Sequence, residues 1–141
     1  MPNFRDAALR HIDDCHWLWS DVNVNRADNA SQLAAYGAEC LLKGILQKAG
    51  ILTLDAYGKP RVPFNVHLNQ GPSKDLVALY NATQSGVSAL PVLGASQFFS
   101  GWTINNRYDG TLFSSAVSTQ HHADAKAFEN VLVQALLKGQ I

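Results

Sequence analysis

Residues 33–44 read LAAYGAECLLKG, and this stretch indicates the fold more clearly than any other in the chain. At helical spacing its apolar and small side chains fall on one stripe, which continues beyond both ends of the stretch. The members of the stripe are Ala30, Leu33, Ala34, Gly37, Cys40, Leu41, Gly44 and Ile45. Glu39 and Lys43 stand four residues apart with the acid first, the favourable order for an ion pair on a helix. The pattern predicts an amphipathic helix with a buried face.

Two glycines on this stripe predict a tightly packed neighbour. Gly37 and Gly44 each cost about 1 kcal/mol of helix propensity, and close contact with another helix is the expected compensation. The neighbour is a first helix, predicted from about Asn3 to about Ser20. Its apolar stripe consists of Phe4, Ala8, Ile12, Cys15 and Leu18, with Trp19 beside them. We therefore predict an antiparallel hairpin of the first two helices.

The helix ends follow from capping residues and helix breakers. Asp28 or Asn29 is expected to cap the second helix, which ends near Gly50. The segment from Ile51 to Pro72 is predicted to be irregular, with a turn at residues 57–60. Further helices are predicted from Lys74 after a cap at Ser73, from about Ser88 to Phe99 with Pro91 in the first turn, and from about His121 to Lys138.

No pair of strongly alternating segments supports a sheet. The prediction is thus an all-α fold, an up-down bundle of four or five helices that forms one domain over residues 1–141. A chain of 141 residues can bury a sufficient core without disulfides or a structural metal.

Composition limits the classes of partner. Lys and Arg total 11, as do Asp and Glu, so the formal charge of zero gives no general attraction for nucleic acid, although a local basic pocket remains open. Cys15 and Cys40 fit small buried hydrophobes in a reducing cytosol. The N-terminus lacks the apolar core of a signal peptide, and no apolar segment approaches membrane-spanning length. We expect a cytoplasmic protein without a membrane partner.

A family resemblance adds to these expectations. The pattern Ala-x-Tyr-x-x-Glu-Cys-x-x-Lys-Gly at residues 34–44 resembles the second helix of HEPN domains, which are small helical modules. Together with Trp102 and the Arg107-Tyr108 pair, the resemblance extends over most of the chain. It implies an HEPN-like bundle that forms a homodimer.

Many HEPN proteins are metal-independent ribonucleases, with an arginine followed after four to six residues by a histidine. Histidine can move a proton to or from the ribose 2′-hydroxyl, and arginine can stabilise the charge on phosphate. In this chain Arg107 and His121 occupy the corresponding region, but thirteen residues separate them. This departure leaves them weak catalytic candidates. Three pairs elsewhere match the spacing and are attributed to chance: Arg5 and His11, Arg10 and His16, Arg61 and His67.

Trp102 followed by Arg107-Tyr108 resembles the signature of the HEPN branch associated with nucleotide binding. Arginine can bind a phosphate through two hydrogen bonds, and a tyrosine ring can stack on a base. In the structural alternative, Trp102 fills the end of the bundle and Arg107 pairs with a partly buried Glu39 or with an aspartate. The two interpretations are compatible. The residues predicted to bind a ligand are Arg107, Tyr108, Glu39, Lys43 and Trp102.

Other conspicuous residues receive plainer interpretations. His121 and His122 are expected to be exposed at the start of the last helix, because adjacent histidines diverge and no ligand constellation accompanies them. We therefore predict no metal and no cofactor. Trp17 and Trp19 exceed what one helix face can bury, so one ring is expected to meet a partner or a second copy of the chain.

Three functional hypotheses follow. The first is a catalytically degenerate HEPN-like module that binds a nucleotide, an RNA or a protein partner. The second is a metal-independent ribonuclease that acts as a toxin or defence effector, with Arg107 and His121 brought together in space. The third is an immunity or antitoxin protein that docks a cognate toxin.

Overall fold

The computed structural model describes residues 2–20, 27–69, 75–84, 89–94, 98–108 and 113–141, with the backbone alone for residues 107 and 108. These ranges contain four α-helices and one 3₁₀ helix. Their bounds are Phe4–Ser20 for α1, Ala27–Lys48 for α2, Leu76–Thr83 for α3, Ser115–Leu137 for α4, and Ile104–Tyr108 for the 3₁₀ helix. Within the described ranges the only β-type pairing is an isolated bridge between Leu54 and Pro60. The predicted all-α fold is confirmed.

The helices α1 and α2 form the predicted hairpin. A Cβ atom added at Gly37 would lie 2.8 Å from Cγ1 of Ile12, and one added at Gly44 would lie 3.4 Å from Cβ of Phe4. As the residue number rises along α2 it falls along α1, so the two helices are antiparallel. The expectation that both glycines allow a close approach is confirmed.

The helix α2 is the centre of the fold. It packs against α1, α3 and α4. Residues outside the predicted stripe are also buried, namely Ala35, Ala38, Leu42 and Leu46. A helix that is apolar around most of its circumference is typical of a core helix enclosed by its neighbours.

The two ends of α2 differ in how well they were predicted. Gly50 adopts a positive φ of 73°, and the N–H groups of Ile51 and Leu52 both donate to the carbonyl of Leu46, which confirms the predicted glycine terminus. The predicted cap at Asp28 or Asn29 is wrong, because α2 already includes Ala27. Asp28 instead accepts a hydrogen bond from the backbone N–H of Phe113 at 2.7 Å, so it holds the segment before α4 against the start of α2.

The helix α4 begins six residues before the predicted start at His121. Ser114 is its N-cap, with the side chain accepting from the N–H of Val117 at 3.3 Å. The earlier start places His121 in the second turn, where it faces the core. Phe128, Val131, Leu132 and Ala135 are buried as predicted.

The helix predicted from Ser88 to Phe99 is wrong over residues 89–94, which are not helical. Side chains of α3 bind this segment instead: the hydroxyl of Tyr80 donates to the carbonyl of Pro91, and Asn81 exchanges two hydrogen bonds with the backbone of Leu93. Backbone groups held in this way cannot enter a helical ladder. Ser88 and residues 95–97 lie outside the described residues.

The helix α3 begins at Leu76 with Asp75 as its N-cap, whereas Ser73 and Lys74, which were predicted to start it, lie outside the described residues. None of the helices that the structure describes is long and apolar enough to cross a lipid bilayer.

Candidate functional site

Glu39 and Lys43, two residues predicted to bind a ligand, belong to a buried charged cluster. Only 8% of Glu39 and 6% of Lys43 is exposed. The Glu39 carboxylate accepts from Nζ of Lys43 at 2.7 Å, from Nδ1 of His67 at 3.0 Å and from the N–H of Leu68 at 3.3 Å. The cluster therefore ties the loop at residues 67–68 to the middle of α2.

The pKa of Glu39 is lowered from its usual range. Burial by itself would raise this pKa, but the hydrogen bond from His67 and the positive charge of Lys43 outweigh the effect of burial. The expectation of a buried acid at this position is confirmed. Its described side-chain partners are Lys43 and His67, while the side chain of Arg107, the predicted partner, lies outside the described residues.

Trp102 is buried in the core beside the middle of α2. It is 1% exposed, and its ring meets the ring of Tyr36 edge-on with 5.6 Å between centroids. The side-chain amide of Asn69 donates to the carbonyls of Phe98, Phe99 and Trp102. The burial agrees with a packing role for Trp102, and its predicted role in binding a ligand stays a prediction.

The 3₁₀ helix that carries Arg107 and Tyr108 is anchored to α2. The side chain of Gln32 donates to the carbonyl of Asn106 at 3.2 Å, which places the backbone of this helix beside the N-terminal half of α2. The side chains of Arg107 and Tyr108 lie outside the described residues, and their predicted binding role stays a prediction.

His121 is fully buried, and the expectation of an exposed residue is wrong. Its Nε2 atom donates to the carbonyl of Ser100 at 2.8 Å, and its ring lies 4.9 Å from the ring of Phe113 and 5.7 Å from that of Phe99. The reason is the early start of α4, which turns this position toward the core. An imidazole in this position has no direct access to a ribose hydroxyl in solvent.

A pocket forms where the end of α1 meets the starts of α2 and α4. We call it the Trp19 pocket. Its volume of about 320 Å³ is at the lower end of the range of about 300–1,000 Å³ that is typical of ligand sites. The lining residues are Trp19, Ala27, Asp28, Phe113, Ser115, Ser118, Thr119 and His122.

The indole of Trp19 is held in place by stacking. Its centroid lies 4.4 Å from that of the His122 ring, with 35° between the ring planes. His16 packs against His122 with 5.9 Å between centroids, and its Nε2 atom lies 3.1 Å from a carboxylate oxygen of Glu129. Burial, followed by the charges of Lys126 and His16, lowers the pKa of His122. His122 is half-buried in the second turn of α4, so the expectation that it is an exposed end residue is wrong.

Asp28, Ser118 and Trp19 contribute polar side chains to the lining of the pocket. One carboxylate oxygen of Asp28 accepts from the N–H of Phe113. Ser118 is only 6% exposed. The Oγ atom of Ser118 and the Nε1 atom of Trp19 have essentially no accessible surface and no hydrogen-bond partner among the residues that the structure describes. A ligand in the pocket therefore reaches these two atoms only if the side chains shift.

Another cavity, of about 340 Å³, lies between the C-terminal end of α2, the end of α3 and the end of the chain. Among the described residues its lining combines aliphatic side chains with Lys48, Thr83 and the amides of Gln84 and Gln140, and it contains no aromatic ring. In the part of the chain that the structure describes, no group of three or more His, Cys, Asp or Glu residues could hold a metal ion.

The sequence pattern does not predict the Trp19 pocket. The signals for it are the surplus of tryptophan on α1 and the SSAVST segment at residues 114–119, which precedes the predicted start of the last helix. Comparison of the chain with protein-family models, with curated proteins and with solved structures finds no match. The geometry of the site and the resemblance in the sequence are therefore the basis for a function.

Proposed function

We propose that this protein is a catalytically degenerate, HEPN-like helical module that binds a nucleotide, or a base of an RNA, in the Trp19 pocket. The observation that supports this most strongly is the combination, in the lining of one cavity, of the aromatic residue Trp19, the acidic residue Asp28 and residues from the start of α4. Stacking of a base on an aromatic side chain contributes about 1–3 kcal/mol to binding. A cavity of this size encloses a base and leaves the sugar and phosphates near its mouth.

The Arg107-Tyr108 pair fits the same proposal. The chain is bound to Gln32 through the carbonyl of Asn106 and to Asp28 through the N–H of Phe113. These two anchors are about one turn apart on α2. Phe113 and Asp28 line the Trp19 pocket, and Asn106 is held about one turn of α2 away from it. We propose that Arg107 binds a phosphate and that Tyr108 adds a stacking surface.

The start of α4 offers a complementary site for phosphate. Backbone N–H groups and the helix dipole favour an anion at a helix N-terminus, and Ser115, the first residue of α4, lines the pocket at this end. The buried pair Glu39 and Lys43 has a supporting part in this proposal, because it holds the loop at residues 67–68 against α2.

Isothermal titration calorimetry with ATP, GTP and short RNA tests the proposal. Trp19→Leu is expected to weaken binding by about 5- to 150-fold, the equivalent of 1–3 kcal/mol, and Arg107→Ala is expected to weaken binding of phosphorylated ligands. Trp17→Leu is the matched control, since Trp17 lies on the same helix but is 75% exposed and should leave affinity unchanged. Absence of binding heat with every ligand would refute the proposal.

One observation favours the ribonuclease as a second candidate. His121 borders a cavity of about 220 Å³, and its Nδ1 atom has no hydrogen-bond partner among the described residues. Its full burial argues against the candidate. Incubation of the protein with tRNA and mRNA in EDTA decides the question. Metal-independent cleavage that is lost in His121→Ala, with the helical circular dichroism retained, would replace our proposal.

The proposed homodimer and the alternative of a toxin-docking immunity protein both draw support from Trp17, because exposed tryptophan is enriched at the centres of protein interfaces. Sedimentation velocity of wild type and Trp17→Ser tests the dimer; a wild-type monomer at micromolar concentration would contradict it.

We also propose a cytoplasmic location. Burial raises the pKa of Cys15 to about 12 and that of Cys40 to about 11, so both thiols suit a reducing compartment as unreactive core residues.

A further inference from the structure

We propose that two copies of this chain associate through the outer face of α1, with the two α1 helices antiparallel and Arg10 of each copy paired with Asp14 of the other. The inference rests on the proposed homodimer, which it deepens by naming the helix, its direction and the residues that meet. It is independent of the Trp19 pocket, because the lining of that pocket comes from a single chain.

The outer face of α1 carries a stripe of four residues, which we call the outer stripe: Ala7, Arg10, Asp14 and Trp17. The intervals of three, four and three residues are those of a helix side that faces another helix along its length. Arg10 and Asp14 are exposed, Trp17 is 75% exposed and Ala7 is half-buried. The outer stripe is turned away from the buried side of α1, which packs on α2, so no described part of the chain covers it.

The charges of the outer stripe are complementary to themselves when the copies run antiparallel. If the two helices cross with position 12 of each at the two-fold axis, Arg10 faces the partner's Asp14, and Asp14 faces the partner's Arg10. A parallel pair would instead place arginine on arginine and aspartate on aspartate. The ion pairs that the described residues form do not include Arg10 or Asp14, so both charges are available to a second copy.

The sizes of the side chains require the same register. Trp17 and Ala7 are also symmetric about position 12, so the indole of each copy lies over the small side chain of the partner's Ala7. The methyl group leaves space for the ring, and tryptophan is enriched among the residues that contribute most to interfaces. One two-fold axis therefore satisfies all four contacts, two between opposite charges and two between a large and a small side chain.

This self-complementarity is the reason to name a second copy as the occupant. In an interface with two-fold symmetry, residue i meets residue j and residue j meets residue i, which is how the outer stripe is arranged. The contact extends over about 15 Å of helix, so it is shorter than a standard interface and the dimer is weak. Asp13 flanks the axis and faces the partner's Asp13, so its charge weakens the dimer further.

Reversal of single charges tests the pairing. Arg10→Glu gives an acidic outer stripe and Asp14→Arg a basic one, so each variant alone should dimerise at least tenfold more weakly than the wild type in sedimentation velocity at about 10–100 μM. An equimolar mixture of the two variants should form a heterodimer. The chain that carries both changes restores opposite charges in the antiparallel register only, and it should form a homodimer again. Lys48→Glu reverses an exposed charge on α2, away from the outer stripe, and should change nothing.

The outcomes separate this inference from the proposed function. A wild-type monomer at about 100 μM would overturn the interface together with the proposed homodimer, while nucleotide binding by each chain would stand. A wild-type dimer that Arg10→Glu and Asp14→Arg leave unchanged would overturn the interface and keep the homodimer. Failure of the doubly changed chain to dimerise, with its helical circular dichroism retained, would overturn the antiparallel register. Asp13→Asn should tighten the dimer, and a weaker dimer in this variant would contradict the position of the axis.

Binding of nucleotide is measured on the same variants as a separate readout. Since the exchanged charges lie outside the Trp19 pocket, Arg10→Glu and Asp14→Arg should bind ATP and GTP as the wild type does. Loss of dimerisation with binding retained would support the inference, whereas loss of binding in both variants would show that the outer stripe acts on the pocket rather than on a second copy.

Discussion

Substitution of Gly37 by alanine tests the close packing of α1 on α2. The new Cβ would lie 2.8 Å from Cγ1 of Ile12 and 3.3 Å from the backbone nitrogen of the same residue. The first distance is too short for two carbon atoms, and the nearby nitrogen belongs to the main chain of α1. Relief therefore requires α1 itself to move away from α2.

The expected magnitude is the balance of two terms. Overpacking a well-packed core costs about 1–3 kcal/mol, and replacing glycine by alanine within a helix recovers about 1 kcal/mol. Gly37→Ala should therefore lower the free energy of unfolding by up to about 2 kcal/mol. For a chain of this length that corresponds to a fall in Tm of up to about 7 °C.

Gly44→Ala is the matched control on the same helix stripe. Its Cβ would meet Cδ1 and Cγ1 of Ile141 at 3.0 and 3.1 Å, which form the end of the side chain of the last residue and can rotate away. The gain in helix propensity should then dominate, and stability should equal or exceed that of the wild type by up to about 1 kcal/mol.

Urea unfolding followed by far-UV circular dichroism measures both variants. In an Ile12→Ala background the cost of Gly37→Ala should shrink, since the clashing atom is gone. Equal shifts for the two glycine variants, or a higher midpoint for Gly37→Ala, would refute the packing argument.

Three further predictions concern the buried cluster and α4. Glu39→Gln should cost about 3 kcal/mol or more, because it leaves the buried Lys43 without its counter-charge. The folded-state pKa of Glu39 is lowered. The ionised carboxylate therefore contributes its full stabilisation above the unfolded pKa, and this contribution is lost as the pH falls through the folded pKa. Urea midpoints between pH 7 and pH 3 should fall less steeply in Glu39→Gln than in the wild type. Ser114→Ala should cost about 1 kcal/mol and speed amide exchange in the first turn of α4, and unchanged exchange would show that the cap contributes nothing. Neither the wild type nor His121→Ala should cleave tRNA in EDTA, as gel electrophoresis would show.

The hairpin of α1 and α2 could be predicted because its signals are local. Apolar residues recur at helical spacing, and Gly37 and Gly44 indicate the contacting face without any knowledge of the partner. The glycine terminus at Gly50 is a local signal of the same kind. The burial of Glu39 was anticipated from the resemblance, but its pairing with His67 joins residues 28 positions apart and had no signal in the local pattern.

The errors occur where distant contacts decide the structure. Pro91 is typical of a first helical turn, yet Tyr80 and Asn81 bind the backbone of that segment and hold it outside any helix. The first turns of α4 are rich in serine and threonine, so their apolar periodicity is too weak to mark a helix start. The Trp19 pocket combines residues from three helices, and its α4 residues are far from Trp19 and Asp28 in the sequence, so no short motif could have indicated it.

The most direct test of the Trp19 pocket is an NMR titration of the ¹⁵N-labelled protein with guanosine 5′-monophosphate. Each tryptophan gives one indole N–H signal. Trp17 is exposed, whereas Nε1 of Trp19 is buried and has no hydrogen-bond partner among the described residues. We predict a saturable shift of the Trp19 signal while the Trp17 signal stays in place. A Trp19 signal that does not move at millimolar ligand, or equal shifts of both signals, would contradict the account.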